Sequence, residues 1–229
     1  IVENNTVINP QNIGIVINSA NNALVKDNEI FTSKPELYPG AQYGINLVSS
    51  ANAVVEHNII KHFRLYGIFV QTSANAQILK NSITNAGLLN NNIANVSGIF
   101  ISTGANQGLT VKGNKIFDLN STLFTAAANG SAYGINISGN AVNSASTPII
   151  IENNMIWGIS GYGSVNPTYV QNNPYAILIS NGRYINIYNN TVLMNGMLHN
   201  GVGYSGVLFV SNAAVQDVDV RNNLFVNKT

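Results

Sequence analysis

Val25-Lys26-Asp27-Asn28-Glu29-Ile30 is the stretch that decides the fold, because near copies of it recur along the whole chain. Aligned on the asparagine, the copies are VENNTV, VKDNEI, VEHNII, ILKNSI, VKGNKI, IENNMI, IYNNTV and VRNNLF, with Asn5, Asn28, Asn58, Asn81, Asn114, Asn154, Asn190 and Asn223 in register. Three residues earlier stands an aliphatic side chain: Val2, Val25, Val55, Ile78, Val111, Ile151, Ile187 or Val220. Two residues later stands another apolar one, from Val7 and Ile30 to Val192 and Phe225. Both flanks therefore face a core, and the asparagine lies between two short apolar segments.

A second block alternates with the first: GIVI at Gly14, GINL at Gly44, GIFV at Gly67, GIFI at Gly98, GINI at Gly134, AILI at Ala176 and GVLF at Gly206. Its inward and outward residues alternate with the period of two expected of a strand. The spacing from this block to the next asparagine is 14 residues in four of seven cases, whereas the spacing from the asparagine to the next block ranges from 9 to 22. Each repeat thus has one half that tolerates insertions. Three short strands per repeat and no 3.6-residue periodicity predict an all-β, three-sheet parallel β-helix. Seven to eight coils about 4.8 Å apart make a rod of roughly 34 Å. Residues 1–229 are read as a single domain, an excerpt of a longer chain lacking terminal caps. Flanking domains or another chain are expected to cover its open ends.

Composition excludes several functions. Charged residues make up 8% of the chain, the formal net charge is +1 and there is no Lys/Arg cluster, so no electrostatic footprint for nucleic acid exists. No apolar run reaches the length of a membrane-spanning helix, and membrane insertion is not expected. The absence of cysteine removes disulfides, thiol catalysis and thiolate metal sites. No His/Asp/Glu group has metal-ligand spacing, and no metal or cofactor is expected. Asparagine occupies about 40 positions, far above ordinary usage.

The wording GIxI, a short turn, then xIxxNxI resembles the right-handed parallel β-helix repeat shared by pectate lyases, polygalacturonases, alginate epimerases and many bacterial surface proteins. The resemblance implies that GIxI is the first sheet, that the strands before and after the asparagine are the second and third, and that chemistry occurs on the outer face of the first sheet. The outward positions there are read as Val16, Asn46, Phe69, Phe100, Asn136, Leu178 and Leu208, then Asn18, Val48, Gln71, Ser102, Ser138, Ser180 and Val210. None ionises. The alginate-epimerase motif Tyr-Gly-Phe-Asp-Pro-His is matched only at its start, by Tyr43-Gly44-Ile45-Asn46, Tyr66-Gly67-Ile68-Phe69 and Tyr133-Gly134-Ile135-Asn136. Its acid and base are replaced, so the resemblance does not carry that activity over.

Most charge has a structural reading. Glu3, Lys26 and Glu56, and then Lys112 and Glu152, fall on adjacent coils of the second sheet's outer face, where cross-strand pairs set register. The remaining residues for acid/base work, Glu36, His62, Arg64, Asp118, Arg183 and His199, are read as loop-borne; Glu36 and Asp118 are about 14 Å apart along the axis by coil spacing, beyond the separation of a glycosidase pair.

Aromatic residues concentrate in or beside the insertions. With the first-sheet residues they define a set of carbohydrate-binding candidates: Asn46, Phe69, Phe100, Tyr133, Asn136, Trp157, Tyr162 and Tyr175. Aromatic faces with uncharged amides and hydroxyls suit a neutral sugar. The expected function is a non-catalytic extracellular rod of a bacterial surface protein, a stalk or adhesin segment binding neutral polysaccharide. The competing expectation is a polysaccharide lyase, hydrolase or epimerase with loop-borne catalytic groups. The repeated asparagine is expected to form an internal ladder, itself taking the left-handed conformation at the turn between the second and third sheets.

Overall fold

The computed structural model describes residues 1–33, 42–86, 95–121, 124–125, 128–139, 144–166, 170, 172–199 and 203–229, of which 124, 125, 128 and 129 are described by backbone alone. Three parallel sheets wind around one core. The first has seven strands, Ile13–Asn18, Tyr43–Val48, Tyr66–Gln71, Asn95–Ile101, Ser131–Ser138, Tyr175–Asn181 and Gly206–Val210. The second and third have eight each, running from Val2–Glu3 to Gln216–Arg221 and from Thr6–Ile8 to Leu224–Asn227. Neighbours in every one of these sheets come from successive coils, which makes the fold a parallel β-helix. A small antiparallel pair, Phe124–Thr125 with Ala128–Asn129, lies in one insertion.

The apolar flanks of the repeat meet as expected. Val25, Val55, Ile78, Val111, Ile151 and Ile187 of the second sheet are fully buried and stack in register. They pack against the third-sheet column of Ile30, Ile60, Ile83, Ile116, Ile156 and Val192 and the inward residues of the first sheet. Burying each such aliphatic side chain contributes about 1.5–3 kcal/mol.

The block glycines are required by packing at the corner entering the first sheet. A Cβ on Gly67 would stand 2.4 Å from Ile83 Cγ2 and 2.6 Å from the Gly98 carbonyl oxygen. Gly14, Gly44, Gly98 and Gly134 meet the same obstruction.

The ladder is continuous, with one correction to its geometry. The left-handed residue is the one before each ladder asparagine: Asn4, Asp27, His57, Lys80, Gly113, Asn153, Asn189 and Asn222, with φ between 52° and 68°. Asn, Asp and Gly tolerate that conformation best, and the turn it makes directs the next side chain inward. Asn58 is representative. Its Oδ1 accepts from the Asn28 backbone N–H at 3.1 Å and from Asn28 Nδ2 at 2.9 Å. Its Nδ2 donates to Asn81 Oδ1 and to the carbonyl of Val25, both at 3.0 Å. The same pattern runs from Asn5 through Asn28, Asn81, Asn114, Asn154 and Asn190 to Asn223.

A second ladder occupies the turn between the first and second sheets. Ser50 Oγ accepts from Ala20 N, Ser73 Oγ from Ser50 N, and Asn106 Oδ1 from Ser73 N at 2.9 Å. Its sequence signal is limited to Ser50-Ala51-Asn52 and Ser73-Ala74-Asn75, since Ala20 and Asn106 fill the equivalent place on the flanking coils.

On the outer faces, Glu3–Lys26 and Lys112–Glu152 are ion pairs at 3.1 and 2.6 Å, joined on the third sheet by Glu29–Lys61 at 3.0 Å. These half-exposed pairs add at most about 1 kcal/mol each.

Two substitutions separate the interior from the surface. Asn58→Ala is expected to destabilise the rod by about 1–3 kcal/mol for each buried donor it leaves unpaired, whereas Asn18→Ala, at an exposed first-sheet position, stays within about 0.5 kcal/mol. Gly67→Ala is expected to cost about 1–3 kcal/mol through overpacking. Urea unfolding monitored by far-UV circular dichroism measures all three.

Candidate functional site

The outer face of the first sheet carries one outward row in register: Val16, Asn46, Phe69, Phe100, Asn136, Leu178 and Phe209. The last member corrects the sequence expectation of Leu208. Gly206 pairs with Tyr175 rather than Ala176, so Leu208 aligns with inward Ile177 and Val210 with inward Ile179. A one-residue slip exchanges the faces of a strand. Here it sets Leu208 against the core and lays the Phe209 ring on Tyr175 at 4.5 Å.

Tyr43 and Tyr66 precede the block glycines and also point outward, stacked 5.4 Å apart. Tyr66 meets Phe100 at 4.6 Å, and Phe69 meets Phe100 at 5.6 Å. Four rings from three adjacent coils thus form a continuous aromatic wall. Beside it opens a cleft of about 360 Å³. Tyr66 and Phe100 are its aromatic side, Asn136 and Leu178 its floor, and Ser138, Ser180 and Ser211 its far rim, with Asn95 and Tyr133 contributing at the entry to the strands. Among the described residues, no carboxylate, imidazole, ammonium or guanidinium group lines it. The Oδ1 atoms of Asn46 and Asn136 are shut from solvent and have no donor among the described residues.

Of the carbohydrate-binding candidates, Phe69, Phe100, Asn46, Asn136 and Tyr133 share this face. Tyr133 and Tyr175 are almost fully buried and stack near-parallel, with centroids 6.4 Å apart; the Tyr175 hydroxyl donates to the Val170 carbonyl at 2.7 Å. The structure does not bring Trp157 to the cleft. It lies in the third-sheet strand Met155–Ser160, stacked on Phe117 at 4.4 Å. Tyr162 follows that strand in the connecting segment, where its amide donates to Gly130, and does not line the cleft.

The acid/base candidates are dispersed. Glu36 lies outside the described residues. His62 and Asp118 occupy equivalent positions along the third sheet, in a left-handed column with Asn9, Asn85 and Gly158; His62 directly follows the strand Ile59–Lys61, whereas Asp118 stands within the strand Lys115–Asn120 rather than on a loop. The backbone conformation accounts for their types, because Asn, Asp and His are the non-glycine residues enriched there. His62 Nδ1 sits 3.0 Å from the Thr32 carbonyl. Arg64, between buried Phe63 and half-buried Leu65, has its Nε shut from solvent with no acceptor among the described residues. His199 contacts the Asn120 amide oxygen through Nε2, and burial lowers its pKa. None of the four lines the cleft. Among the described residues, no three of His, Asp and Glu converge as a metal site would require.

The charges of the last coils gather on the second sheet instead. Asp219 accepts from the Tyr188 hydroxyl at 2.7 Å and pairs with Arg221, while Asp217 pairs with Arg183. The Tyr188 hydroxyl and Arg221 together hold the Asp219 carboxyl below its usual range. A cleft of about 340 Å³ adjoins these residues.

Burial raises the pKa of Tyr133, and that of Tyr175 up to about 12, from an ordinary 10.0. The folded state therefore keeps protons that the unfolded state releases, and this contribution to stability is complete below pH 10 and is lost between pH 10 and about 12. Alkaline titration followed by near-UV circular dichroism is expected to show cooperative loss of structure in that window, without a separate earlier ionisation of these two tyrosines.

A sequence profile for the right-handed β-helix region matches residues 1–145. Among solved structures, the periplasmic alginate epimerase AlgG is similar at 16% identity and a TM-score of 0.46, covering 93% of this chain and 48% of that one. This chain spans about half the length of that protein. No curated protein matches. With its ladder, its three parallel sheets and a profile match over more than half its length, the chain belongs to the right-handed β-helix family.

Proposed function

We propose that this chain is a segment of a non-catalytic extracellular rod that binds neutral polysaccharide on the outer face of its first sheet. The observation carrying this reading is the composition of the cleft beside Tyr66 and Phe100: aromatic rings on one side, amides and hydroxyls on the floor and rim, and no charged group among the described residues. A sugar presents an apolar face and a ring of hydroxyls. The first stacks on aromatic carbon and the second needs both donors and acceptors, for which the amides and hydroxyls of Asn95, Asn136, Ser138, Ser180 and Ser211 line the cleft. A uronate chain would carry carboxylates into a site offering them no cation, at a desolvation cost. The same lack of an acid and a base argues against bond cleavage in this cleft. The stalk or adhesin role and the bacterial cell-surface location rest on the repeat's resemblance to surface proteins. Flanking domains or another chain are the proposed partners at the ends.

Affinity electrophoresis against neutral and uronate polysaccharides tests the proposal, with reducing-end release measured in parallel. Retardation by a neutral glycan is expected, together with no release. Phe100→Ala is expected to weaken binding about 2- to 10-fold, matching a lost stacking contribution of about 0.5–1.5 kcal/mol. Asn136→Ala is expected to weaken it while leaving the thermal midpoint near that of the parent. Binding to no neutral glycan would remove the binding role, and depolymerisation would overturn the non-catalytic one.

A further inference from the structure

Four asparagines in the chain precede glycine: Asn129, Asn181, Asn195 and Asn200. Glycine lacks the Cβ that shields a backbone nitrogen, which opens this bond to attack on the preceding carboxamide. The side chains of Asn129 and Asn200 lie outside the described residues. The surroundings of the other two differ in ways that bear directly on this chemistry.

Asn195 is restrained. Its Oδ1 accepts a hydrogen bond from the Gly158 backbone N–H at 2.9 Å. Gly196 is pressed so closely on the Ile159 carbonyl that no Cβ could be accommodated. Neither the carboxamide nor the following peptide is free to rotate toward the other. Asn181 is the last residue of the first-sheet strand Tyr175–Asn181 and is exposed. Its carboxamide has no hydrogen-bond partner among the described residues. Gly182, at φ 145°, is a one-residue corner between that strand and Arg183–Tyr188. The carbonyls of Asn181 and Gly182 accept from Gly139 N at 3.2 Å and Gln216 N at 3.1 Å, but the Gly182 N–H donates to no described residue. Nucleophile and electrophile are therefore adjacent, and neither is engaged by a described residue.

We infer that Asn181 is a site of spontaneous deamidation, selected by the fold over Asn195. The Gly182 nitrogen loses its proton to base and adds to Asn181 Cγ. The new N–Cγ bond closes a five-membered succinimide as the Cγ–Nδ2 bond breaks, and Nδ2 leaves as ammonia after taking up a proton. Water then opens the ring at either carbonyl, giving aspartate or isoaspartate; no other reactant is needed. The product places a carboxylate at the corner where Asn181 pairs with Ser138, a residue of the cleft rim. The isoaspartyl form also lengthens the main chain at a corner made by a single residue. This chemistry is independent of glycan binding at the cleft.

The test is peptide mapping by mass spectrometry after incubating the folded protein at mildly alkaline pH, beside a urea-unfolded sample. The Asn181 peptide is expected to show the amide-to-acid mass gain and to react with isoaspartyl methyltransferase while the Asn195 peptide is unchanged. In the unfolded sample both are expected to convert. Conversion at Asn181 is expected to accelerate as pH rises, and Asn181→Gln, which would need a larger ring, is expected to stop it without moving the thermal midpoint. Asn181 intact in the folded protein after the unfolded sample has converted, or Asn195 converting equally fast in the folded protein, would overturn the inference.

Discussion

Each coil turns from the second sheet to the third by placing one residue in the left-handed conformation and directing the next side chain, an asparagine, into the interior. A carboxamide is the side chain suited to that place because it donates and accepts on opposite sides. The Asn58 amide satisfies a backbone N–H and a side chain of the preceding coil, a carbonyl of that same coil, and the amide of the next. Buried peptide groups at a turn would otherwise lack partners, at a cost of about 1–3 kcal/mol each. Repeated on every coil, these bonds lock the vertical register of all three sheets. The aliphatic columns on either side are then stacked residue on residue, and the glycine corners close over the isoleucine column without room for a methyl group.

With register locked inside, the outside of each sheet becomes a set of rows in which one residue per coil faces the same way. On the second sheet the rows hold charge pairs. On the third, Phe117 and Trp157 stack on one another. On the first, two rows converge as the Tyr43–Tyr66–Phe69–Phe100 wall, and the change from aromatic to Asn and Leu one coil later opens the cleft beside it. The cleft is therefore a consequence of a composition change along a regular scaffold, and its uncharged lining is what supports assigning it a neutral ligand.

His62 and Asp118 show how conformation and chemistry compete as explanations of a residue type. Both are titratable, and both stand beside insertions, which made them catalytic candidates. Both also occupy a left-handed position of the third sheet that Asn9 and Asn85 fill on other coils and Gly158 on a further one. The backbone requirement is sufficient to account for them, and neither reaches the cleft.

The repeat, its three strands, the inward columns and the existence of an asparagine ladder were legible in the sequence, because a solenoid writes each of its coils locally and any residue is compared directly with its counterparts. The serine-asparagine ladder left only a weak trace, Ser50-Ala51-Asn52 and Ser73-Ala74-Asn75, because alanine and asparagine fill its place on the coils to either side. Three features were decided by tertiary structure. The left-handed residue precedes the ladder asparagine, since only that arrangement directs the amide inward while sparing it a strained backbone. The last first-sheet strand is shifted by one residue, because Gly206-Val207-Leu208-Phe209 satisfies the local pattern in two registers and the stacking of Phe209 on Tyr175 selects one. Trp157 stays in its third-sheet strand, stacked on Phe117, instead of joining Phe69 and Phe100 over the first-sheet face, and that packing between coils is contained in no single repeat.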